Sequence, residues 1–146
     1  MFIKLYVQDE MKNFFKSYLL FFLFLGINAV AFAQEDVINS VKTAFKATNS
    51  KEVAKYFGSN LELIIEPESV EFDNVSDTQA ELVLKNFFQK HPIKDFNWDG
   101  HQGSNKDMQY YRTGTYNTAT GKFMVFMVLK PVSGGKYMIS KLYIQK

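Results

Sequence analysis

Hydrophobic positions along this chain switch between two periods. Val37, Ile38, Val41, Ala44 and Phe45 recur at helical spacing, with Lys42 and Lys46 on the opposite side. This predicts a helix from about Asp36 with one apolar stripe. Asn49 and Ser50 break the pattern, and a shorter helix is predicted after them, with Val53, Ala54 and Phe57 inward and Gly58 ending it. Leu61, Leu63 and Ile65 then alternate with Glu62, Ile64 and Glu66, the period of a half-buried strand. Pro67 marks a turn. Val70 and Phe72 suit a short returning strand, and the acids Glu68, Glu71 and Asp73 around them favour an exposed edge.

The second half repeats this alternation on a larger scale. Ser76-Asp-Thr-Gln79 is a capping box, in which the serine hydroxyl meets the amide three residues on. Ala80, Val83, Leu84, Phe87 and Phe88 follow as a helical stripe, and His91-Pro92 ends it, because a residue before proline is pushed out of the helical region. Phe96 and Trp98 open a strand that runs to about Gln102. Met108–Tyr116 gives another, with Tyr110 and Tyr116 on one face and Tyr111, Thr113 and Thr115 on the other. The run from Lys122 to Lys130 is apolar at both parities, so both of its faces need cover and it reads as the central strand. After Gly134-Gly135 a last strand places Met138, Leu142 and Ile144 on one face. Short loops join these four, which predicts consecutive antiparallel pairing. The architecture expected is α+β, with three helices on a strongly curved, mostly antiparallel sheet.

The residues ahead of this domain read differently. Met11-Lys-Asn-Phe-Phe-Lys16 is a basic segment, Tyr18 to Val30 is apolar, and Ala31-Phe-Ala33 has the small-x-small pattern read by signal peptidase. Residues 1–33 are therefore expected to be a signal peptide cleaved between Ala33 and Gln34, with residues 34–146 as a single exported domain. Asp9 and Glu10 are out of place before a basic segment, which makes Met11 the better start. The apolar run is shorter than the ~20 residues of a spanning helix and holds Asn28, so no stable membrane anchor is expected after cleavage.

Composition narrows the chemistry. There is no cysteine, hence no disulfide, thiolate nucleophile or cysteine zinc site. His91 and His101 are the only histidines and lack ligand-like spacing, so no metal is expected, and no motif implies a cofactor. A net charge of +2 does not suggest a nucleic-acid partner. The charge is unevenly spread: between Lys55 and Lys85 all charged residues are acidic, whereas from Lys106 onward Asp107 is the sole acid. That suggests either docking of an acidic edge on a basic sheet face, within the chain or between copies, or two solvated faces.

This order of elements, over nearly all of Asp36–Lys146, resembles the nuclear-transport-factor-2-like (cystatin-like) fold, in which a bent sheet wraps helices into a cone. Val75-Ser-Asp-Thr-Gln-Ala-Glu-Leu-Val-Leu-Lys-Asn-Phe-Phe-Gln-Lys-His-Pro92 and Gly134-Gly-Lys-Tyr-Met-Ile-Ser-Lys-Leu-Tyr143 are similar to a bacterial family of small secreted proteins, the domain of unknown function 4783. The resemblance implies the cone and no particular activity, because this fold serves isomerases, dehydratases and plain binding modules alike. Catalytic members resembling ketosteroid isomerase hold a carboxylate and a tyrosine or histidine inside the cone. The candidates here are Asp99 and His101, with Tyr56, Tyr110 or Tyr111 as donors. Asp99 and His101 have the parity opposite to Phe96 and Trp98, so they point inward only if a bulge at Gly100 or Gly103 turns them.

Phe45, Phe57, Phe87, Phe88, Trp98, Tyr110 and Phe126 are expected to line an apolar cavity in the cone. The sequence thus favours an exported, non-enzymatic domain that binds a small hydrophobic ligand or a protein partner, with a homodimer through the sheet. A small lyase or isomerase and an accessory module of an envelope assembly are the alternatives. N-terminal mass analysis of the exported protein is expected to find Gln34 first, and recovery of the chain with residues 11–33 still attached contradicts the signal reading.

Overall fold

In the computed structural model, residues 11–17 and 32–146 are described, and the chain divides into two units, Met1–Ala33 and Gln34–Lys146. In the first unit, residues 11–17 are helical and exposed. The expected apolar core of the signal, Tyr18 to Val30, and the ten residues before Met11 lie outside the described residues.

Residues 32–46 are helical, and the part from Gln34 on, α1, buries the stripe Val37, Ile38, Val41, Ala44 and Phe45. It ends in a Schellman turn: the Thr48 amide donates to the Phe45 carbonyl at 3.0 Å and the Asn49 amide to Ala44 at 2.8 Å. Thr48 takes the left-handed position at φ 50°, which a β-branched residue adopts only under strain. Asn49 then caps α2 (Ser50–Ala54), its side chain accepting from the Glu52 amide at 3.1 Å.

Here one expectation is corrected. Phe57 and Gly58 do not close α2; they open β1 (Phe57–Ile65). The reason is a close backbone approach, since a Cβ on Gly58 would lie 3.2 Å from the Ile139 carbonyl oxygen.

A 3₁₀ turn at Glu66–Glu68 leads to β2 (Val70–Val75), an edge strand as its acids suggested. In α3 (Asp77–Lys90) the Ser76 hydroxyl accepts from the Gln79 amide at 3.2 Å, and Ala80, Leu84, Phe87 and Phe88 are buried. Four strands follow: β3 (Ile93–Ser104), β4 (Tyr110–Thr118), β5 (Lys122–Val132) and β6 (Lys136–Gln145). The six-stranded sheet has the order β2-β1-β6-β5-β4-β3. The four late strands are antiparallel to their neighbours in sequence, while β1 and β6 pair in parallel.

Register shifts in β1, in β3 between Trp98 and Gln102, and in β6 opposite Val128 and Leu129 bend the ladder, as bulges do. The sheet is curved, and the helical stripes fill its concave face against Leu61, Leu63, Ile65, Tyr116, Val125 and Leu142. Replacing Thr48 by Gly removes the left-handed strain and is expected to raise unfolding stability by about 0.5–1 kcal/mol, after the extra chain entropy of glycine is counted; chemical denaturation of the two proteins measures it.

Candidate functional site

The seven residues expected to line a cavity divide into three groups. Phe45, Phe87 and Phe88 belong to a packed aromatic cluster. Phe45 stacks on Phe96 at 4.8 Å and meets the Phe88 ring edge-on at 5.3 Å, while Phe87 lies 5.2 Å from Tyr116 and 5.4 Å from Phe123. Phe57 is buried likewise. These rings fill the concave side by contact with one another rather than surrounding a space. Tyr116, at the centre, donates its hydroxyl proton to the His91 carbonyl at 2.6 Å, and burial pushes its pKa up to about 12.

Phe126 is a correction of face. On β5 it alternates with the buried Val125 and Met127, so it projects from the convex side, where it stacks on Tyr111 at 6.0 Å. Trp98 and Tyr110 remain on the concave side, each half-buried. The Trp98 indole donates to the Ile38 carbonyl at 2.9 Å, and the Tyr110 hydroxyl to the Gln102 side chain at 2.6 Å.

The candidate catalytic residues are not brought together. The bulge in β3 exists, yet Asp99 stays on the convex side, where it accepts from the Thr113 hydroxyl and, at 3.0 Å, from the His101 amide. The His101 ring sits 3.3 Å from Asp99 with a side chain 86% exposed. Partial burial pushes the Asp99 carboxyl up, but the hydrogen bonds from Thr113 and His101 outweigh it and hold it below the usual carboxylate value. A cone-bound base needs the opposite, an apolar site that raises its pKa.

Tyr56 is half-buried beside α1 and α2, in a shallow depression of about 450 Å³ with Asn39, Thr43 and Glu52. No tyrosine among the described residues hydrogen-bonds to Asp99 or His101. The lyase or isomerase arrangement is therefore absent from these residues.

Two features were missed in the sequence. The first is Glu68, whose side chain is only 7% exposed and is bound by Lys90 at 2.5 Å and His91 at 3.0 Å. The Lys90 hydrogen bond, opposed by burial and assisted by His91, holds its carboxyl below the usual value. It ties the turn before β2 to the end of α3. The second is Arg112, on the concave side of β4 opposite Met127, with its Nε buried and unpartnered.

The acidic segment docks within the chain: Glu62 pairs with Lys141 at 2.7 Å, and Glu66 accepts from the Tyr143 hydroxyl. On the convex side, Tyr111, Met124, Phe126, Val128 and Tyr143 lie on neighbouring strands with no element over them among the described residues. Met124 is 43% exposed and Tyr111 38%, where the sequence required cover on both faces of β5.

The sequence profile of the family "Domain of unknown function (DUF4783)" matches residues 38–145. The chain belongs to the DUF4783 family. A DUF4783 protein from Bacteroides ovatus is 33% identical, with 73% of this chain and 92% of that one covered at a TM-score of 0.64. Another from Bacteroides uniformis is 35% identical over 74% and 94% of the two chains, at a TM-score of 0.62. A designed protein with a curved β-sheet, 11% identical, is similar over 77% of this chain and 99% of its own at a TM-score of 0.59, a likeness of fold alone. Designed and natural neighbours of this kind place the DUF4783 chain in the nuclear-transport-factor-2-like fold. No curated protein matches it.

Replacing Glu68 by Gln is expected to cost about 1.5–3 kcal/mol at neutral pH, the range for a hydrogen bond to a charged group. Because the folded-state pKa is lowered from 4.5, the contribution of Glu68 is complete above that value and fades as pH falls through the folded one. Thermal unfolding of both proteins across the acid range is expected to show the gap closing.

Proposed function

We propose that this DUF4783 protein is an exported, non-enzymatic binding domain that works through the convex face of its sheet, and that its first partner there is a second copy of the chain. The observation that carries this reading is the apolar strip on β5, over which no element lies among the described residues. Phe126 sits between Thr113 of β4 and Tyr143 of β6, with Met124 and Val128 two residues away on the same face. Exposed apolar surface grouped on one rigid element marks an interaction site more often than scattered apolar residues do.

Charge favours a like copy as the occupant. The centre of the strip has no ionised side chain, and Lys141 at its border is already neutralised by Glu62. Two copies can therefore meet about a two-fold axis without like-charge repulsion. Export is supported by the basic, apolar and small-x-small succession from Met11 to Ala33.

The concave side is less suited to a large apolar ligand, because Phe45, Phe87 and Phe88 occupy it themselves. An enzymatic reading loses its candidate acid, since Asp99 lies outside on the convex surface.

Native mass spectrometry and light scattering of the purified protein at micromolar concentration are expected to give twice the chain mass. Phe126→Lys is expected to return the single-chain mass with the circular dichroism spectrum unchanged. A wild-type protein that stays monomeric at hundreds of micromolar overturns the self-pairing.

A further inference from the structure

The helical side of the domain carries a groove of about 790 Å³, walled by the turn from α1 into α2 on one side and by α3 on the other. That volume lies within the range of about 300–1,000 Å³ typical of small-molecule sites. Ser50 and Lys51 stand on the first wall, and Glu81, Lys85 and Gln89 on the second. The last three recur at a spacing of four, so they stand one above another on a single face of α3. At ~1.5 Å of rise per residue this ridge runs for ~12 Å, the length of about three to four extended residues.

The charges in the groove are unsatisfied. Lys51, Glu81 and Lys85 make no ion pair among the described residues. Glu81 and Lys85 even have the spacing and order that favour a helical ion pair, and they are not joined. Three charges just outside the groove do find partners: Lys46 meets Asp95, Glu52 meets Lys55 and Lys90 meets Glu68.

Ser50 is a second and independent observation. It is the only polar residue buried among the described ones, at 6% exposure, and its hydroxyl makes no hydrogen bond to any of them. Folded proteins give nearly every buried hydroxyl a partner, because an unmet one costs its hydration. Ser50 lines the groove, so the occupant of the groove is what meets it.

We infer that this groove binds a short acidic peptide with a free amino terminus. Two cations and one anion are complemented by two carboxylates and one ammonium. The peptide's side-chain and terminal carboxylates pair with Lys51 and Lys85, its amino terminus pairs with Glu81, and its backbone meets Ser50 and Gln89. Phe88 and Ile93 give its small apolar parts a contact. A basic peptide would set like charge against both lysines. A phosphate ion would leave Glu81 facing a negative charge, and an apolar ligand would desolvate three charges without return. The groove lies on the helices, so this inference goes beyond pairing through the convex strip and does not rest on it.

Isothermal titration calorimetry of the purified protein with alanyl-glutamyl-alanine is expected to show saturable binding below about 1 mM. The lysyl analogue, free glutamate and inorganic phosphate are each expected to bind at least ten-fold more weakly. Lys85→Glu is expected to weaken the peptide at least ten-fold, and Ser50→Ala several-fold. Glu81→Gln is expected to weaken the free peptide while leaving its N-acetylated form unchanged. The Phe126→Lys protein is expected to bind as wild type does, which separates this site from the convex face.

No saturable binding of the peptide overturns the assignment, as does equal binding of the lysyl analogue, of free glutamate or of phosphate. Equal affinity of wild type and Lys85→Glu overturns it too. Lys85 and Glu81 lie on the surface of α3 and hold no other contact, so their variants test the site on folded protein even if Ser50→Ala does not fold.

Discussion

The aromatic cluster formed by Phe45, Phe87, Phe88, Phe96, Tyr116 and Phe123 is the contact on which the domain depends. It is where α1, α3, β3, β4 and β5 all meet. Each ring contributes a large apolar area, and each well-oriented pair adds about 0.5–1.5 kcal/mol beyond that area. Tyr116 adds a directional bond. Its hydroxyl engages the carbonyl of His91, the residue that caps α3, so the end of that helix is pinned to the middle of the sheet. Glu68 pins the same helix end from the other side through Lys90 and His91. A helix packed only by apolar rings has some freedom to slide; these polar fixings on either side of its last turn remove it.

Filling the concave side with the protein's own rings determines what is left for function. A curved sheet with helices inside has two surfaces to offer, the convex face and whatever part of the concave face the helices do not cover. Here the first carries an apolar strip and the second is filled by the protein's own side chains. Gly114 is where the indole of Trp98 closes over β4. A side chain there would collide with Trp98, the Asn97 carbonyl and Phe96, so the absence of a Cβ lets the indole lie across β4 and close the core.

Much of the fold was legible because its signals are local. The stripes of α1 and α3 are periodic over three or more turns, and the Ser76 cap and His91-Pro92 stop bracket α3. The alternation in β1 and the double-sided apolarity of β5 gave strand positions within a few residues. What was misread depended on distant partners. Phe57 and Gly58 look like a helix end until the Ile139 backbone is seen against them. The parallel pairing of β1 with β6 joins residues about eighty apart in sequence and leaves no local mark.

The site was less legible than the fold for a related reason. Strand parity correctly separated Asp99 from Trp98, and the bulge proved not to reverse it. Parity misled for Phe126, because when both parities are apolar the sequence gives no sign of which face is the core. Glu68 was read as part of an acidic edge, since its two partners lie more than twenty residues away. Arg112 could have been found: it shares parity with Tyr116 and Tyr110, the face expected to be covered, and it is the one arginine present.

The uneven charge distribution now has a physical account. The acidic stretch from Glu62 to Glu71 lies on β1, the following turn and β2, and β1 runs beside β6, where Lys141 and Tyr143 receive Glu62 and Glu66. The parallel pair is the only junction in the sheet between strands that are not consecutive along the late hairpins or the early one. It has no hairpin turn to set its register, so register must come from side chains. Leu63 against Leu142 and Ile65 against Ile144 set it on the concave side, while Glu62 with Lys141 and Glu66 with Tyr143 set it on the convex one. A slip by one residue would expose the leucines and separate the charges together. The acids of β1 and of the turn after it therefore serve first to close the sheet against Lys141 and Tyr143 of β6, and the central convex strip is left uncharged as a consequence of where that closure occurs.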